Sequence, residues 1–261
     1  MKHLKLFQTE SEYNSFKGSS DFVLPNVSHI KEFAGLPHND PKRPVLFNPK
    51  PSGPSSSYVA VDLGLPSGLK WADRNVGAES PEDNGLYFQW GDTVGYTADQ
   101  VGKDKVFNWA NYWDSVDGSV SNFNKYAIDK LTVLEASNDA AAVNMGSDWR
   151  MPTNAELTEL INNTNKIFID KNGNEVSSTT SGNLKGVKLV SKINCNSIFI
   201  PASGHGEDST LYDAGDRGYL WSSSLYISYS YSVSYLSFNY SGSLRMTNTN
   251  RCYGCVVRGV K

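Results

Sequence analysis

Apolar and polar residues alternate over several short stretches of this chain, a pattern typical of strands with one buried face. Residues 58–63 alternate with a period of two and predict the first strand of the main domain. Residues 187–190, 198–200 and 219–221 are short apolar runs that predict buried strands. The chain is therefore expected to be rich in short strands.

Two segments have the pattern of helices. Thr153 and Glu156 have the spacing of a capping box, in which each side chain accepts a free backbone N–H at the helix start. Apolar residues within 157–161 then form one face, so a helix is expected to about residue 163. A second helix is predicted over residues 129–144, ending before Gly146. Its expected buried stripe is Leu131, Leu134 and Val143.

The first 57 residues differ in composition from the rest of the chain. Residues 48–57 contain three Pro and four Ser in ten positions, a composition that favours extended, unpacked backbone. The short apolar runs before them predict a small β-rich unit. We therefore expect an appendage at residues 1–50, a linker at 51–57 and the main domain at 58–261.

The segment from Gly218 to Leu244 has the most informative composition. Its 27 residues include no charged side chain, and Tyr, Ser and Asn fill most positions. Tyr provides large, stiff contact area for only two lost torsions, while Ser and Asn provide adaptable hydrogen bonds. Seven of the 14 Tyr of the chain fall between Tyr219 and Tyr253. This composition favours a binding surface, with an exposed polar sheet of no specific function as the alternative.

Within this segment, the alternation predicts a strand with two different faces. From Ile227 to Tyr235 the odd positions are Ile, Tyr, Tyr, Val and Tyr, whereas the even positions are all Ser. Leu236 and Phe238 then place the apolar residues at even positions. If both halves face the same core, a bulge or turn is required near Ser234 or Tyr235.

Charge and hydropathy exclude several classes of function. The chain of 261 residues has a net charge of −3, so it has no basic field to gather nucleic acid or anionic membrane. It contains no apolar run of about 18 residues, and no signal-peptide pattern follows its basic first residues. We expect no nucleic-acid partner and no direct insertion into a membrane.

Candidate catalytic and metal-binding residues are few. Cys252 and Cys255 have C-x-x-C spacing, but no predicted helix follows them to lower a thiol pKa, and a metal site with Cys195 is equally disfavoured. The acidic residues near His205 have oxygen ligands suited to calcium, but their spacing matches no calcium loop. No nucleophile elbow or phosphate-binding loop accompanies this His. The sequence therefore predicts no catalytic residue, no cofactor and no metal site.

Several stretches, taken in order along the chain, resemble one family. They are residues 61–71 (VDLGLPSGLKW), 75–78 (NVGA), 87–91 (YFQWG), 149–153 (WRMPT), 220–223 (LWSS) and 257–258 (VR). They resemble the C-type-lectin-fold domains of Bacteroides and their phages, which are similar to formylglycine-generating enzymes and to Fibrobacter-type paralogous surface domains. The resemblance covers residues 58–261 and implies an α+β C-type lectin fold with small antiparallel sheets, two helices and long loops.

The diversified members of this family are the variable proteins of diversity-generating retroelements, in which adenines of Asn codons in a C-terminal region are mutagenised. Such codons yield Tyr, Ser, Asn and Thr readily but never Lys, Glu, Gln or Trp, and residues 225–253 contain none of these last four. The resemblance implies a variable region at about residues 220–258, with Met246 as scaffold. Two features depart from the family. The chain has Val-Arg-Gly-Val in place of Val-Arg-Pro-Val, and the catalytic cysteines of the enzyme branch have no counterpart.

The resemblance implies a ligand-binding display protein that mediates adhesion to a host surface. The partner would be a host-surface protein or glycan, and the protein would lie on a virion or another exposed surface. Residues 1–50 resemble the leader of structural proteins from gut Bacteroides phages and would attach the domain to a virion or form a homo-oligomer. The expected scaffold residues are Leu220, Trp221, Leu236, Phe238, Val256 and Val257. The expected displayed contacts are Tyr226, Ser228, Tyr229, Ser230, Tyr231, Ser232, Ser234, Asn239, Tyr240, Arg245, Asn248, Asn250 and Tyr253.

Two other classes of function stay open. A calcium-dependent carbohydrate-binding lectin would require a cluster of acidic and amide ligands at the loop surface. A formylglycine-generating-type oxidase would require reactive cysteines whose pKa is lowered.

Overall fold

The computed structural model describes residues 58–126 and 131–261, so the predicted appendage and linker lie outside the described residues. The described part is a mixed α+β fold with small antiparallel sheets and two short helices, as the sequence predicts at this level. The helices are α1 (Ala140–Met145) and α2 (Asn154–Asn163). The strands are β1 (Ala60–Asp62), β2 (Lys70–Ala72), β3 (Tyr87–Phe88), β4 (Thr164–Asp170), β5 (Glu175–Val176), β6 (Leu184–Ser191), β7 (Ser197–Pro201), β8 (His205–Glu207), β9 (Thr210–Tyr212), β10 (Arg217–Leu225), β11 (Ser232–Asn239), β12 (Leu244–Asn250) and β13 (Cys255–Val256).

The strands form two larger sheets and two hairpin-sized ones. The central sheet has the order β12-β11-β10-β13-β3, and its pairs are antiparallel except for the parallel pair of β10 and β13. A second sheet has the order β5-β4-β6-β7. β1 pairs with β2, and β8 pairs with β9. The core strands predicted from the apolar runs are confirmed as parts of β6, β7 and β10.

Strands β10 and β11 of the central sheet are buried on both faces. Leu220 and Leu236 belong to one hydrophobic core, whereas Trp221 and Tyr235 belong to a second. Because neighbouring residues of a strand point to opposite faces, the two apolar phases of this segment fill two cores. A bulge or turn near Ser234 or Tyr235 was predicted only for two halves that face the same core, and this condition is not met. β11 pairs with β12 in continuous register, and the irregular register of this sheet falls in β10.

The strand predicted from Ile227 does not begin until Ser232. Residues 226–231 form a loop between β10 and β11, closed by hydrogen bonds from Tyr226 N to Ser232 O (3.0 Å) and from Tyr229 N to Tyr226 O (3.1 Å). Ile227 is 84% exposed, so no core covers the face that a strand here would bury. The alternation of Tyr and Ser in this stretch does not reflect a strand.

Helix α2 confirms the predicted capping box. Thr153 Oγ1 accepts the backbone N–H of Glu156 (3.3 Å), and the Glu156 carboxylate accepts the backbone N–H of Thr153 (2.8 Å). Arg150 binds the same carboxylate through both terminal nitrogens. Leu157 and Leu160 are fully buried on the predicted apolar face. The helix therefore begins where its sequence satisfies the free N–H groups of the first turn.

The helix predicted over residues 129–144 is wrong over residues 131–135, and residues 129–130 lie outside the described residues. Leu134 is buried, but its backbone N–H donates to a carbonyl of β10 (2.9 Å), so this stretch is extended. Helix α1 begins after Asp139, whose carboxylate accepts two free N–H groups of the first turn. Val143 is exposed instead of buried, and Gly146 ends the helix as predicted with a φ of 111°. Neither described helix has the length and hydropathy of a membrane-spanning segment.

Phe238 provides a direct test of the predicted scaffold. Its ring is fully buried and packs 6.4 Å from the ring of Phe168, measured between centroids. Phe238→Ala should lower the free energy of unfolding by about 3 to 5 kcal/mol, because the surrounding sheet cannot fill the cavity. Tyr229→Ser should change it by less than about 0.5 kcal/mol, since the Tyr229 ring is 52% exposed. Urea denaturation of both variants measures the difference, and equal losses would contradict the division into scaffold and display.

Candidate functional site

The structure places five of the predicted contacts on one loop. Residues 226–231 are called the tyrosine loop here. Its three Tyr rings form a row, with centroids 6.0 Å apart for Tyr226 and Tyr229 and 5.5 Å apart for Tyr229 and Tyr231. Ser228 and Ser230 are exposed between them. The loop thus presents uncharged aromatic and hydroxyl groups, and its Tyr rings already pack against one another.

Two predicted contacts are not displayed. Ser232 is 2% exposed and Ser234 is 6% exposed. The Ser232 hydroxyl lies 3.0 Å from both the Asn248 side-chain oxygen and the Thr249 carbonyl oxygen, and the Ser234 carbonyl accepts the Ser222 hydroxyl (2.7 Å). Both residues lie on β11, between β10 and β12, where the sheet covers them. The prediction that they are displayed is wrong, because it assumed that the hydroxyl face of the strand meets solvent.

Asn239 and Tyr240 lie at the opposite end of β11 from the tyrosine loop. Asn239 Oδ1 accepts the backbone N–H groups of Ser241 and Ser243 (both 3.1 Å) and so organises the turn between β11 and β12. A strand rises roughly 3.3 Å per residue, which puts this turn about 23 Å from Ser232. The predicted contacts therefore do not form one compact patch, and Asn239 has a structural role in its turn.

The remaining predicted contacts follow the edge strand of the central sheet. Arg245 and Asn248 are exposed on β12, and Asn250 is half-buried at its end. Asn250 pairs with Ser232, so the last residues of β12 lie beside the end of the tyrosine loop. The tyrosine loop and this end of β12 together form one continuous candidate surface.

Arg251 anchors the tyrosine loop to the rest of the domain. Its guanidinium is fully buried, lies 3.5 Å from the centroid of the Phe123 ring, and contacts the ring of Tyr112. The same group lies 3.5 Å from the Asp114 carboxylate. Its backbone N–H donates to Tyr231 O (3.1 Å). The sequence does not predict this role, because an Arg among polar residues gives no signal of burial.

A second group of aromatic and acidic side chains surrounds His205, which the sequence analysis left without a role. His205, Tyr212, Tyr219, Tyr253, Glu207 and Asp213 are called the histidine cluster here. The His205 ring lies 4.6 Å from the Tyr219 ring, 5.4 Å from the Tyr253 ring and 5.9 Å from the Tyr212 ring, measured between centroids. Tyr253, a predicted contact, thus belongs to this cluster and not to the tyrosine loop. No spacing in the sequence predicted the cluster, because its members come from three strands and two loops.

Two carboxylates flank the ring of His205. Nε2 lies 3.5 Å from Glu207 Oε2, and Nδ1 lies 3.9 Å from Asp213 Oδ2. Each carboxylate also accepts a phenol hydroxyl, Glu207 from Tyr253 (2.6 Å) and Asp213 from Tyr219 (2.5 Å). Burial lowers the pKa of His205, and the attraction of the two carboxylates offsets this only in part.

Cys252 and Cys255 differ from reactive thiols because their pKa values are raised. Cys252 and Cys255 are both buried free thiols, whereas Cys195 is exposed. Burial raises the pKa of Cys252 to about 12 and raises the pKa of Cys255 well above its usual value. A redox or nucleophilic thiol requires a shift in the opposite direction. Within residues 58–126 and 131–261, no group of three or more His, Cys, Asp or Glu side chains is arranged to hold a metal ion.

Comparisons with known proteins were made for the whole chain. No protein-family model, curated protein or solved structure matches it.

The anchor can be tested by removing its charge. Arg251→Met should lower the free energy of unfolding by about 3 to 5 kcal/mol, because it takes the guanidinium away from a buried carboxylate. The double variant with Asp114→Asn should recover most of this loss, since the Asn side-chain oxygen can still accept the backbone N–H of Lys125, as Asp114 does at 2.9 Å. Urea denaturation of the single and double variants measures the coupling. Equal instability of the two variants would contradict an electrostatic anchor.

The lowered pKa of His205 predicts how stability changes with pH. The unfolded chain, in which His titrates near 6.5, binds this proton more readily than the folded chain does. The contribution of His205 is therefore fully present above pH of about 6.5 and is lost as the pH falls below that value toward the folded-state pKa.

His205→Gln should lose less free energy of unfolding than the parent between about pH 7.5 and pH 5.5. Urea denaturation across this range measures both proteins, and the difference between them removes the contribution of the other His residues. Parallel curves would show that His205 is not the titrating group.

Proposed function

We propose that this protein is a display protein that binds a host-surface protein or glycan through the tyrosine loop and the adjoining end of β12. In this proposal residues 58–261 form a C-type lectin fold, as in the variable proteins of diversity-generating retroelements. Residues 1–50 attach the domain to a virion or to further copies of the chain. The observation that carries the proposal is the row of uncharged Tyr rings, exposed at Tyr229 and Tyr231 and half-buried at Tyr226, on a loop whose flanking residues are buried.

The C-type lectin fold is supported by the way distant stretches of the resemblance meet. Lys70 and Lys261 exchange two backbone hydrogen bonds (2.8 and 2.9 Å), so the beginning and the end of the domain lie side by side. Arg258 is fully buried and donates to Asn75 Oδ1 (2.9 Å). The stretches at residues 61–71, 75–78 and 257–258 therefore form one structural unit, although they lie far apart in sequence.

The separation of scaffold from display supports a diversified surface. All six expected scaffold residues of the C-terminal region are fully buried. The tyrosine loop begins after Leu225 and ends before Ser232, and both of these flanking residues are buried. Substitutions within the loop should therefore change what the surface recognises without a loss of folding free energy, which is the property that a diversified protein needs.

The residue types agree with this separation. The exposed positions of β12 and of the tyrosine loop are Tyr, Ser, Asn, Arg and Ile, all of which mutagenised Asn codons reach. The fully buried apolar positions of β11 are Val, Leu and Phe, and Met246 is half-buried against the same core as Leu236. Tyr dominates contact area in paratopes of this composition, and a minority of such residues carries most of the binding energy.

Binding to intact cells tests the proposal. Fluorescently labelled full-length protein is incubated with a panel of gut Bacteroides strains and measured by flow cytometry. A variant with Tyr226, Tyr229 and Tyr231 all replaced by Ser should lose most binding to any strain that the parent binds, because the row of rings is removed. Tyr240→Ser is the matched control, since Tyr240 lies at the far end of β11, and it should bind like the parent.

Two further readouts distinguish this surface from a charged or metal-dependent one. The part of the binding that the triple variant loses should change little between about 50 and 300 mM salt, because the tyrosine loop is uncharged and does not depend on ion pairs. A chelator should leave it unchanged. If the triple variant keeps its melting temperature and still binds cells at the parental level, recognition lies outside the tyrosine loop and the proposal is wrong.

A further inference from the structure

We infer that the histidine cluster is a second binding subsite, one that takes the guanidinium group of an exposed Arg on a protein partner. This inference rests on the proposed function and commits the partner to a protein instead of a glycan. The observation behind it is the juxtaposition of two flanking carboxylates, half-exposed aromatic rings and a buried imidazole nitrogen without a hydrogen bond.

The two carboxylates supply the charge that a cation requires. Glu207 and Asp213 are both partly exposed, so each can meet a partner. The hydroxyls of Tyr253 and Tyr219 each hold one of them in place. Asp208 adds a third, exposed acid beside Glu207. A carboxylate fixed before binding loses little side-chain entropy when a cation arrives.

The aromatic rings supply the flat surface on which a guanidinium stacks. Tyr212 is exposed and Tyr253 is half-buried, and both rings pack around His205. A guanidinium binds carboxylates through a planar fork and also stacks on aromatic faces, whereas an ammonium is a compact point charge. The combination of acids with Tyr rings therefore favours Arg over Lys.

One ring nitrogen of His205 is left without a hydrogen bond in the described part of the chain. The residue is 9% exposed, yet its Nδ1 has no hydrogen-bond partner among the described residues. Asp213 Oδ2 lies 3.9 Å from this nitrogen, which is too far for a hydrogen bond. Buried polar groups are nearly always paired in folded proteins. A ligand that draws the Asp213 carboxylate into a new position would complete the arrangement.

A guanidinium of the chain itself already lies at the edge of the subsite. Arg217 Nε is 3.7 Å from Asp213 Oδ2, and the Arg217 side chain is largely exposed. This contact shows that the Asp213 carboxylate is accessible to a planar cation from the solvent side. It also makes Arg217 an internal competitor, so its removal should strengthen binding of an external guanidinium.

The subsite is separate from the positions expected to vary. His205, Glu207, Tyr212 and Asp213 all precede residue 225, so the expected mutagenesis of the C-terminal region would not change them. Tyr253 alone belongs to that region. The histidine cluster would therefore recognise a feature common to many partners, while the tyrosine loop distinguishes among them.

Nuclear magnetic resonance of the full chain, labelled with ¹³C in its four His residues, tests the inference. The His205 signal is assigned with His205→Gln. N-acetyl-L-argininamide is titrated at about pH 7.5, where His205 is neutral, and N-acetyl-L-citrullinamide serves as the neutral probe of the same shape. The arginine probe should shift the His205 signal in a saturable way, and the citrulline probe should not.

Two variants sharpen the result. Glu207→Gln should weaken binding of the arginine probe by roughly fivefold, which is typical of an exposed ion pair. Arg217→Gln, a change at a largely exposed position, should tighten it. An unmoved His205 signal, or an equal shift with both probes, overturns the inference. This result needs only the parent protein and so does not depend on whether a variant folds.

The two proposals fail in different ways. The double variant Tyr229→Ser and Tyr231→Ser should bind the arginine probe like the parent, because the tyrosine loop is not part of the histidine cluster. Cell binding that depends on the tyrosine loop, together with no response of His205 to the arginine probe, would refute the subsite and leave the proposed function intact. A response of His205 without any cell binding would refute the proposed function and leave the subsite intact.

Discussion

The burial of the central sheet on both faces is the constraint on which the rest of the described fold depends. β10 and β11 place one set of side chains in a core shared with α2 and the four-stranded sheet, and the alternate set in a core shared with Trp90 and Met151. Neither face of these two strands is left free to meet a partner. In the proposed function, partner binding therefore falls to the tyrosine loop and the edge strand β12, with the histidine cluster beside the sheet as a second subsite.

A loop that presents uncharged Tyr rings needs fixed ends, and Arg251 fixes one of them. The guanidinium is held among aromatic rings beside Asp114, and the backbone N–H of the same residue binds the last residue of the tyrosine loop. A buried ion pair contributes little net stability but is expensive to break. The contribution of this pair is to position the tyrosine loop, because it ties the loop to residues 112–123, which belong to no strand.

Local patterns in the sequence led to correct predictions where the structure depends on contacts between residues close in sequence. The capping box at Thr153 and the helix end at Gly146 were predicted because they depend on groups within one turn. The other helix was predicted to begin too early, because Leu134 pairs with β10 and this contact is distant in sequence. The same limit applies to the site. Composition predicted a Tyr- and Ser-rich surface at residues 226–231, although as a strand and not as the loop that forms there. The burial of Ser232, the Arg251 anchor and the histidine cluster depend on which segments are neighbours in space, and periodicity carries no such information.

The central claim is that one uncharged segment contains both a tolerant loop and an intolerant, two-sided strand. Saturation mutagenesis of residues 218–258, with resistance to proteolysis as the readout of folding, tests it most directly. Ser228 and Ser230 should accept nearly every side chain, including Tyr and Lys, whereas Ser232 and Ser234 should accept only small ones. A uniform tolerance across residues 226–238 would contradict the account, because it would mean that the sheet does not bury both faces of β11.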